Sequence, residues 1–179
     1  MGKIKIRLLD EAEISKVILR LSHEIIENQK DLDSIAIIGI RTRGEIIARR
    51  IIDNIQSHYN KQIDFGILDV TFYRDDFSKN LGSPKVGPSD ITFDINNKNI
   101  ILIDDVLYTG RTIRAAMDEL FSFGRPSSIK LGVLVDRGHR ELPIKADFIG
   151  KNFPTSDNEH IHVLVEEVDD KNEVNLVEY

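Results

Sequence analysis

Apolar residues between positions 11 and 29 fall at Ile14, Val17, Ile18, Leu21, Ile25 and Ile26, a three-and-four spacing that predicts an amphipathic helix. Its opposite face carries Lys16, Arg20, His23 and Glu27. Residues 35–40 form a short apolar run that reads as a strand, and helical spacing returns over residues 45–55 after Arg41-Thr42-Arg43-Gly44. Residues 65–73 favour a strand through their β-branched and aromatic side chains. Residues 74–90 are polar and contain Gly82, Pro84, Gly87 and Pro88, the composition of a long loop or loose hairpin, and such loops often carry function. Four aliphatic residues at 100–103 suit a strand buried on both faces. A helix is expected over 112–123, where Gly124-Arg125-Pro126 stops it. Further strands are expected at 129–135, near Phe148-Ile149 and at 161–166.

Strands that alternate with helices predict an α/β fold, a mainly parallel central sheet flanked by helices, as one domain over residues 1–179. Right-handed crossovers gather the loops that follow the strands on one edge of such a sheet. The candidate site therefore combines residues 41–44, 104–112 and 136–140.

Composition adds an intracellular expectation. The chain has no cysteine, which excludes disulfides and thiolate metal sites, and neither a signal-peptide core nor an apolar stretch of membrane-spanning length is present. A cytoplasmic protein without membrane contact is expected. The net charge of −6 is unevenly spread. Residues 157–179 hold eight acidic residues against one lysine, which leaves the other 156 residues at +1, with Arg41, Arg43, Arg49 and Arg50 close together. Anionic ligands are not excluded by such a distribution.

The densest chemistry is the segment Asp104-Asp105-Val106-Leu107-Tyr108-Thr109-Gly110-Arg111-Thr112. Two carboxylates leave the carboxyl end of a buried strand, with side chains that alternate and so take different roles. One can accept hydrogen bonds from sugar hydroxyls and the other can act through a hydrated Mg2+. Thr109 to Thr112 supply hydroxyls and backbone N–H groups at a helix start, a seat for a phosphate. There is no Walker lysine and no Gly-x-Gly-x-x-Gly, so a monophosphate fits better than a nucleoside triphosphate or a dinucleotide. Arg41-Thr42-Arg43-Gly44 has the composition to grip a diphosphate.

These segments resemble the type I phosphoribosyltransferases. Asp104 to Thr112, Val-Asp-Arg-Gly-His-Arg-Glu-Leu-Pro-Ile at 135–144, Ile-Gly-Lys-Asn at 149–152 and Asp-Val-Thr-Phe-Tyr-Arg-Asp-Asp at 69–76 narrow the likeness to the family of bifunctional pyrimidine operon regulators and uracil phosphoribosyltransferases. The resemblance implies the type I phosphoribosyltransferase fold with a mobile hairpin loop over the site. It also implies transfer of ribose 5-phosphate from phosphoribosyl pyrophosphate to uracil, giving UMP and pyrophosphate with Mg2+ as cofactor.

On that reading residues 104–112 bind substrate: Asp104 and Asp105 hold the ribose hydroxyls and the metal, and Thr109 to Thr112 hold the 5′-phosphate. Arg41, Thr42 and Arg43 would bind pyrophosphate, in a loop that in these enzymes often contains a non-proline cis peptide. The base would meet Arg137, with Ile161 and Val163 closing the pocket. The 74–90 loop would exclude water, with Arg74, Lys79 and Lys85 closing over the diphosphate.

The resemblance also implies a homo-oligomer that binds pyrimidine-operon mRNA in response to UMP or UTP, through Arg20, His23, Arg140 and Lys145. Leu19 and the short 80–87 segment depart from the pattern of RNA-binding members. A salvage enzyme for another base, such as a purine, would keep the phosphate loop and differ around Arg137. A receiver-type signalling domain would leave Thr109 to Thr112 without a purpose.

Overall fold

The computed structural model describes residues 3–29, 31–70 and 88–179. Five parallel strands form the central sheet: β2 (Ile35–Ile40), β3 (Asp64–Leu68), β4 (Asn99–Leu107), β5 (Ser128–Asp136) and β6 (Phe148–Asn152). Their order is β3-β2-β4-β5-β6, all in parallel register. Helices α1 (Glu11–Glu27) and α2 (Arg43–Tyr59) cover one face and α3 (Arg111–Leu120) the other. Residues of β2 and β4 alternate between the two cores: Ile35, Ile37, Ile101 and Ile103 pack toward α1 and α2, while Ala36, Ile38, Ile100 and Leu102 pack toward α3.

A second sheet of three antiparallel strands, ordered β1-β8-β7, is built from β1 (Lys3–Leu9), β7 (Glu159–Leu164) and β8 (Glu173–Glu178), with a short helix α4 (Glu166–Asp169) between the last two. Sequence patterning missed β1 and β8. Most of β1 is exposed, Ile4 at 55% and Ile6 at 53%, so its alternation marks no buried face. The acidic composition of 157–179 hid β8, whose Val174, Asn175 and Val177 are nonetheless buried.

Several bounds differ from those expected. Strand β4 continues to Leu107, so Asp104 and Asp105 lie inside it rather than beyond its end. Strand β3 stops at Leu68, and β7 begins at Glu159 and gives way to α4 at Glu166. The expected strand residues 71–73, Arg74, Lys79, Lys85 and nearly all of the expected 74–90 loop lie outside the described residues. Among the described residues, no helix is long and apolar enough to cross a membrane.

Helix α1 starts at a capping box: Asp10 accepts from the N–H of Glu13, whose carboxylate accepts from the N–H of Asp10. It packs on β6 where Gly150 offers no side chain; a Cβ there would lie 2.6 Å from Val17 Cγ1 and also collide with the Leu134 carbonyl. Gly150→Ala should therefore cost roughly 1–3 kcal/mol, the usual penalty of overpacking a filled core. The urea midpoint reads this directly, and an unchanged midpoint would contradict the packing described.

Candidate active site

Strand β4 carries the site's carboxylates to the edge of the sheet. Asp104 is 3% exposed and Asp105 8%, so both carboxylates are almost wholly withdrawn from water. Asp104 Oδ1 accepts from the Asp105 N–H and Asp105 Oδ1 from the Val106 N–H, each at 2.9 Å. Helix α2 begins directly over them. A Cβ on Gly44 would lie 2.6 Å from the Ile103 carbonyl and 3.2 Å from Asp104 Oδ1, and one on Gly39 would lie 2.5 Å from Glu45 Cα. Glycine at these two positions lets the helix start approach the strand end.

The phosphate seat expected at Thr109 to Thr112 is the start of α3. Gly110 is its N-cap at φ 94, a left-handed conformation that glycine adopts without a Cβ clash. The N-cap glycine has no side chain to cap the helix, and the first turn carries no acid. Thr109 Oγ1 accepts from the Arg111 N–H at 3.2 Å. Outward N–H groups and the positive end of the helix dipole suit an anion at this point. Arg111 itself turns to Glu141, 2.6 Å away.

A cavity of about 670 Å³ joins these parts. Asp104, Asp105 and Thr109 to Thr112, except Arg111, line one side, with Val106, Leu107 and Tyr108 between them. Arg137 also lines the cavity, 3% exposed, with its guanidinium carbon 4.0 Å from the centroid of the Tyr108 ring. Burial pushes the Arg137 guanidinium below its ordinary value, opposed by Tyr108, Asp157 and Glu159. Ile161 and Val163 reach the lining, but their side chains belong to the core below. His160 and His162, on the alternate face of β7, line the cavity with Tyr179, whose hydroxyl lies 3.2 Å from His162 Nε2. Burial and then Arg43 hold the His162 imidazole below its ordinary value, which favours the neutral ring. These three residues were not anticipated. The strand period that buries Ile161 and Val163 was the available signal for the two histidines, whereas nothing local pointed to Tyr179.

Arg41 and Thr42 stand at the end of β2, joined by a cis peptide bond, and do not belong to the described lining of this cavity. Arg41 lies 3.6 Å from Glu45 and 3.9 Å from Asp69. Of the basic residues expected on a surface, Lys145 is exposed and Arg20 donates to the Gly150 carbonyl and to Glu24. His23 Nδ1 lies 2.6 Å from the Tyr59 hydroxyl. Arg140 turns inward, donating to the carbonyls of Tyr108, Gly138 and Ile144 and to Asp136. It holds the 136–140 loop together.

No group of three or more His, Cys, Asp or Glu side chains capable of holding a metal occurs among the described residues. The donor set is two adjacent carboxylates. That suits an Mg2+ that keeps several waters and shares its coordination with a substrate phosphate, and it does not suit an ion held by protein alone.

Residues 7–170 match the family model described as phosphoribosyl transferase domain. Among curated proteins, the chain is 50% identical over 174 residues to "Bifunctional protein PyrR" of Caldicellulosiruptor bescii, covering 97% of this chain and 95% of the relative. It is 52% identical over 172 residues to the protein of the same name from Bacillus cereus strain AH820, covering 94% and 95%. Among solved structures, a hypoxanthine-guanine phosphoribosyltransferase from Bacillus anthracis superposes with a TM-score of 0.73 at 20% identity, covering 98% of this chain and 99% of that one. The hypoxanthine phosphoribosyltransferase of Trypanosoma cruzi gives 0.72 at 16% identity, covering 98% and 97%. These structures share the fold.

Arg43, expected at the diphosphate, lines the cavity but is clasped to the second sheet. Its Nε and Nη2 reach Asp169 at 3.0 and 2.6 Å, a bidentate pair from the first turn of α2 to the end of α4. Burial pushes the Asp169 carboxyl up, yet the hydrogen bonds from Arg43 and the Val165 N–H prevail and hold it below the ordinary 3.8. A carboxyl lowered by folding contributes stability above its unfolded value and loses it as pH falls through the folded one. Asp169→Asn should thus destabilise the protein fully above about pH 4 and progressively less below it. Urea midpoints of the variant and the parent across that range provide the measurement, and a difference independent of pH would refute the clasp.

Proposed function

The chain belongs to the phosphoribosyl transferase domain family, and we propose that it transfers ribose 5-phosphate from phosphoribosyl pyrophosphate to uracil, giving UMP and pyrophosphate. The observation that carries this is one cavity in which two buried carboxylates, a helix start with a glycine N-cap and a buried arginine on an aromatic ring face a common space. Its volume of about 670 Å³ suits a nucleotide-sized ligand.

Each part has a task in that reaction. The N–H groups and threonine hydroxyls at the start of α3 bind the 5′-phosphate and fix one end of the sugar. Asp104 and Asp105 accept hydrogen bonds from the ribose hydroxyls, and positive charge that develops on the sugar ring is favoured beside them. Mg2+ bound with the substrate would be held by these carboxylates and would neutralise charge on the departing pyrophosphate. Arg41 and Thr42 bind the pyrophosphate at the neighbouring strand end. Arg137 and the wall of His160, His162 and Tyr179 orient the base. No side chain of the protein need bond to the sugar: rate comes from holding the base nitrogen against the anomeric carbon and from excluding water. Arg74 joins this machinery in the proposal as a further cation for the diphosphate.

A purine substrate is the second reading for the enzyme, since the same phosphate and ribose contacts would serve it. The 50% identity to proteins named bifunctional PyrR favours uracil, and rates of nucleotide formation with each base separate the two. Asp105→Asn should lower UMP synthesis roughly 10- to 100-fold, the worth of about 1.5–3 kcal/mol for hydrogen bonds to a charged group. Circular dichroism should stay unchanged, and full activity in the variant would sink the assignment.

We propose a second role as well, regulation of pyrimidine gene expression through mRNA in response to UMP or UTP, which the motif resemblance implies and with which the word bifunctional in the relatives' name agrees. Arg20 and Lys145 supply cationic surface beside the half-buried His23, which more than one copy of the chain in a homo-oligomer would enlarge. Filter binding with the leader RNA of the host's pyrimidine genes should show affinity that rises with UMP and falls steeply with salt. Absence of binding at low salt would leave the enzyme alone.

A further inference from the structure

Arg137, which meets the base in the reading above, is held by acceptors that belong to a turn of the second sheet. Its Nη2 donates to the Glu159 carbonyl at 2.6 Å and its Nε to Thr155 Oγ1 at 3.1 Å. The turn between those residues is fixed by the Glu159 side chain. One oxygen of its carboxylate accepts the Ser156 N–H at 2.8 Å, and the other accepts Lys5 Nζ at 2.7 Å. The Glu159 N–H closes the turn by donating to the Ser156 carbonyl at 3.1 Å. Lys5 stands on β1, the far strand of the sheet, and neither Lys5 nor Glu159 lines the described cavity.

We propose that Glu159, with Lys5 as its counter-ion, is a positioning residue for base recognition: its carboxylate sets the turn whose Thr155 hydroxyl and Glu159 carbonyl aim the Arg137 guanidinium into the cavity. This inference rests on the reading of the cavity as a phosphoribosyltransferase site. Two features support it. Glu159 is only 9% exposed, and a carboxylate so withdrawn is kept where it is paired. The Lys5 hydrogen bond and the Ser156 N–H hold its carboxyl below the usual range, which favours the anion.

The phosphate and ribose contacts hang from β4 and α3, on the other sheet, and do not pass through this turn. Losing Glu159 should therefore touch one substrate and spare the other. Glutamine preserves an acceptor for the Ser156 N–H and loses the ion pair, whereas Lys5→Met loses the ion pair and leaves the turn.

Steady-state rates of UMP formation by the full chain, with uracil and phosphoribosyl pyrophosphate varied in turn, test this. Glu159→Ala should raise KM for uracil about tenfold or more, as expected when the hydrogen bonds that place a charged group are lost, with KM for phosphoribosyl pyrophosphate held within about twofold. Glu159→Gln should recover most of that loss, and Lys5→Met, which keeps the carboxylate on the Ser156 N–H, should lie between Glu159→Gln and the parent. If Glu159→Ala does not fold, the other two variants must still move KM for uracil alone. An equal rise in both KM values, or glutamine no better than alanine, overturns the positioning role while leaving the enzyme reading intact. A parent protein that forms no UMP overturns both.

Discussion

Strand β4 lies between two parallel partners with helices over both faces, and a strand so placed can bear charge only where the helices and neighbouring strands stop covering it. Ile100 to Ile103 are at most 1% exposed, and the two carboxylates follow at once. Because side chains alternate, a register slip of one residue would drive Asp104 and Asp105 toward the layers that hold the isoleucines, at a cost in buried charge that no local contact offsets. The hydrophobic run therefore does more than build a core. It fixes which residues arrive at the sheet edge, and glycine at 39 and 44 lets the start of α2 close over that edge.

From that constraint follows a division between two supports. The central sheet carries Asp104, Asp105 and the start of α3, and these depend on backbone positions set by parallel pairing. The three-stranded sheet carries His160, His162 and Tyr179 and anchors Arg137, which itself leaves the end of β5. A phosphorylated sugar would thus be read by groups set by the backbone, and a base by side chains held across two sheets.

Residues 35–40, 100–103 and 129–135 were legible in sequence because strands buried on both faces leave continuous aliphatic runs, and α1 because its stripe repeats at helical spacing. Those same elements deliver residues 104–112, so that half of the site was legible with them. The second sheet was not. Strand β1 is mostly exposed, β8 sits in acidic sequence, and β7 uses its isoleucine and valine for the core and its histidines for the cavity. Arg43 was expected at the diphosphate and Arg140 on an RNA-binding surface, but their partners, Asp169 and the carbonyls of the 136–140 loop, are set by tertiary contacts that spacing does not encode.

The acidic stretch 157–179 changes meaning once its partners are visible. Read along the chain it is a charged tail; in the fold Asp169 clasps Arg43, Glu167 pairs with Arg50 at 2.6 Å and Glu159 with Lys5. The arginines that sequence gathers near residue 43 are therefore partly neutralised by the sheet that faces them. An anionic ligand gains less from that cluster than its formal charge suggests, and more from the N–H groups at the start of α3. The consequence of the Asp169 and Glu167 pairs is positional: they tie the segment between β7 and β8 to the helix that covers Asp104, so the two walls of the cavity are joined away from its lining.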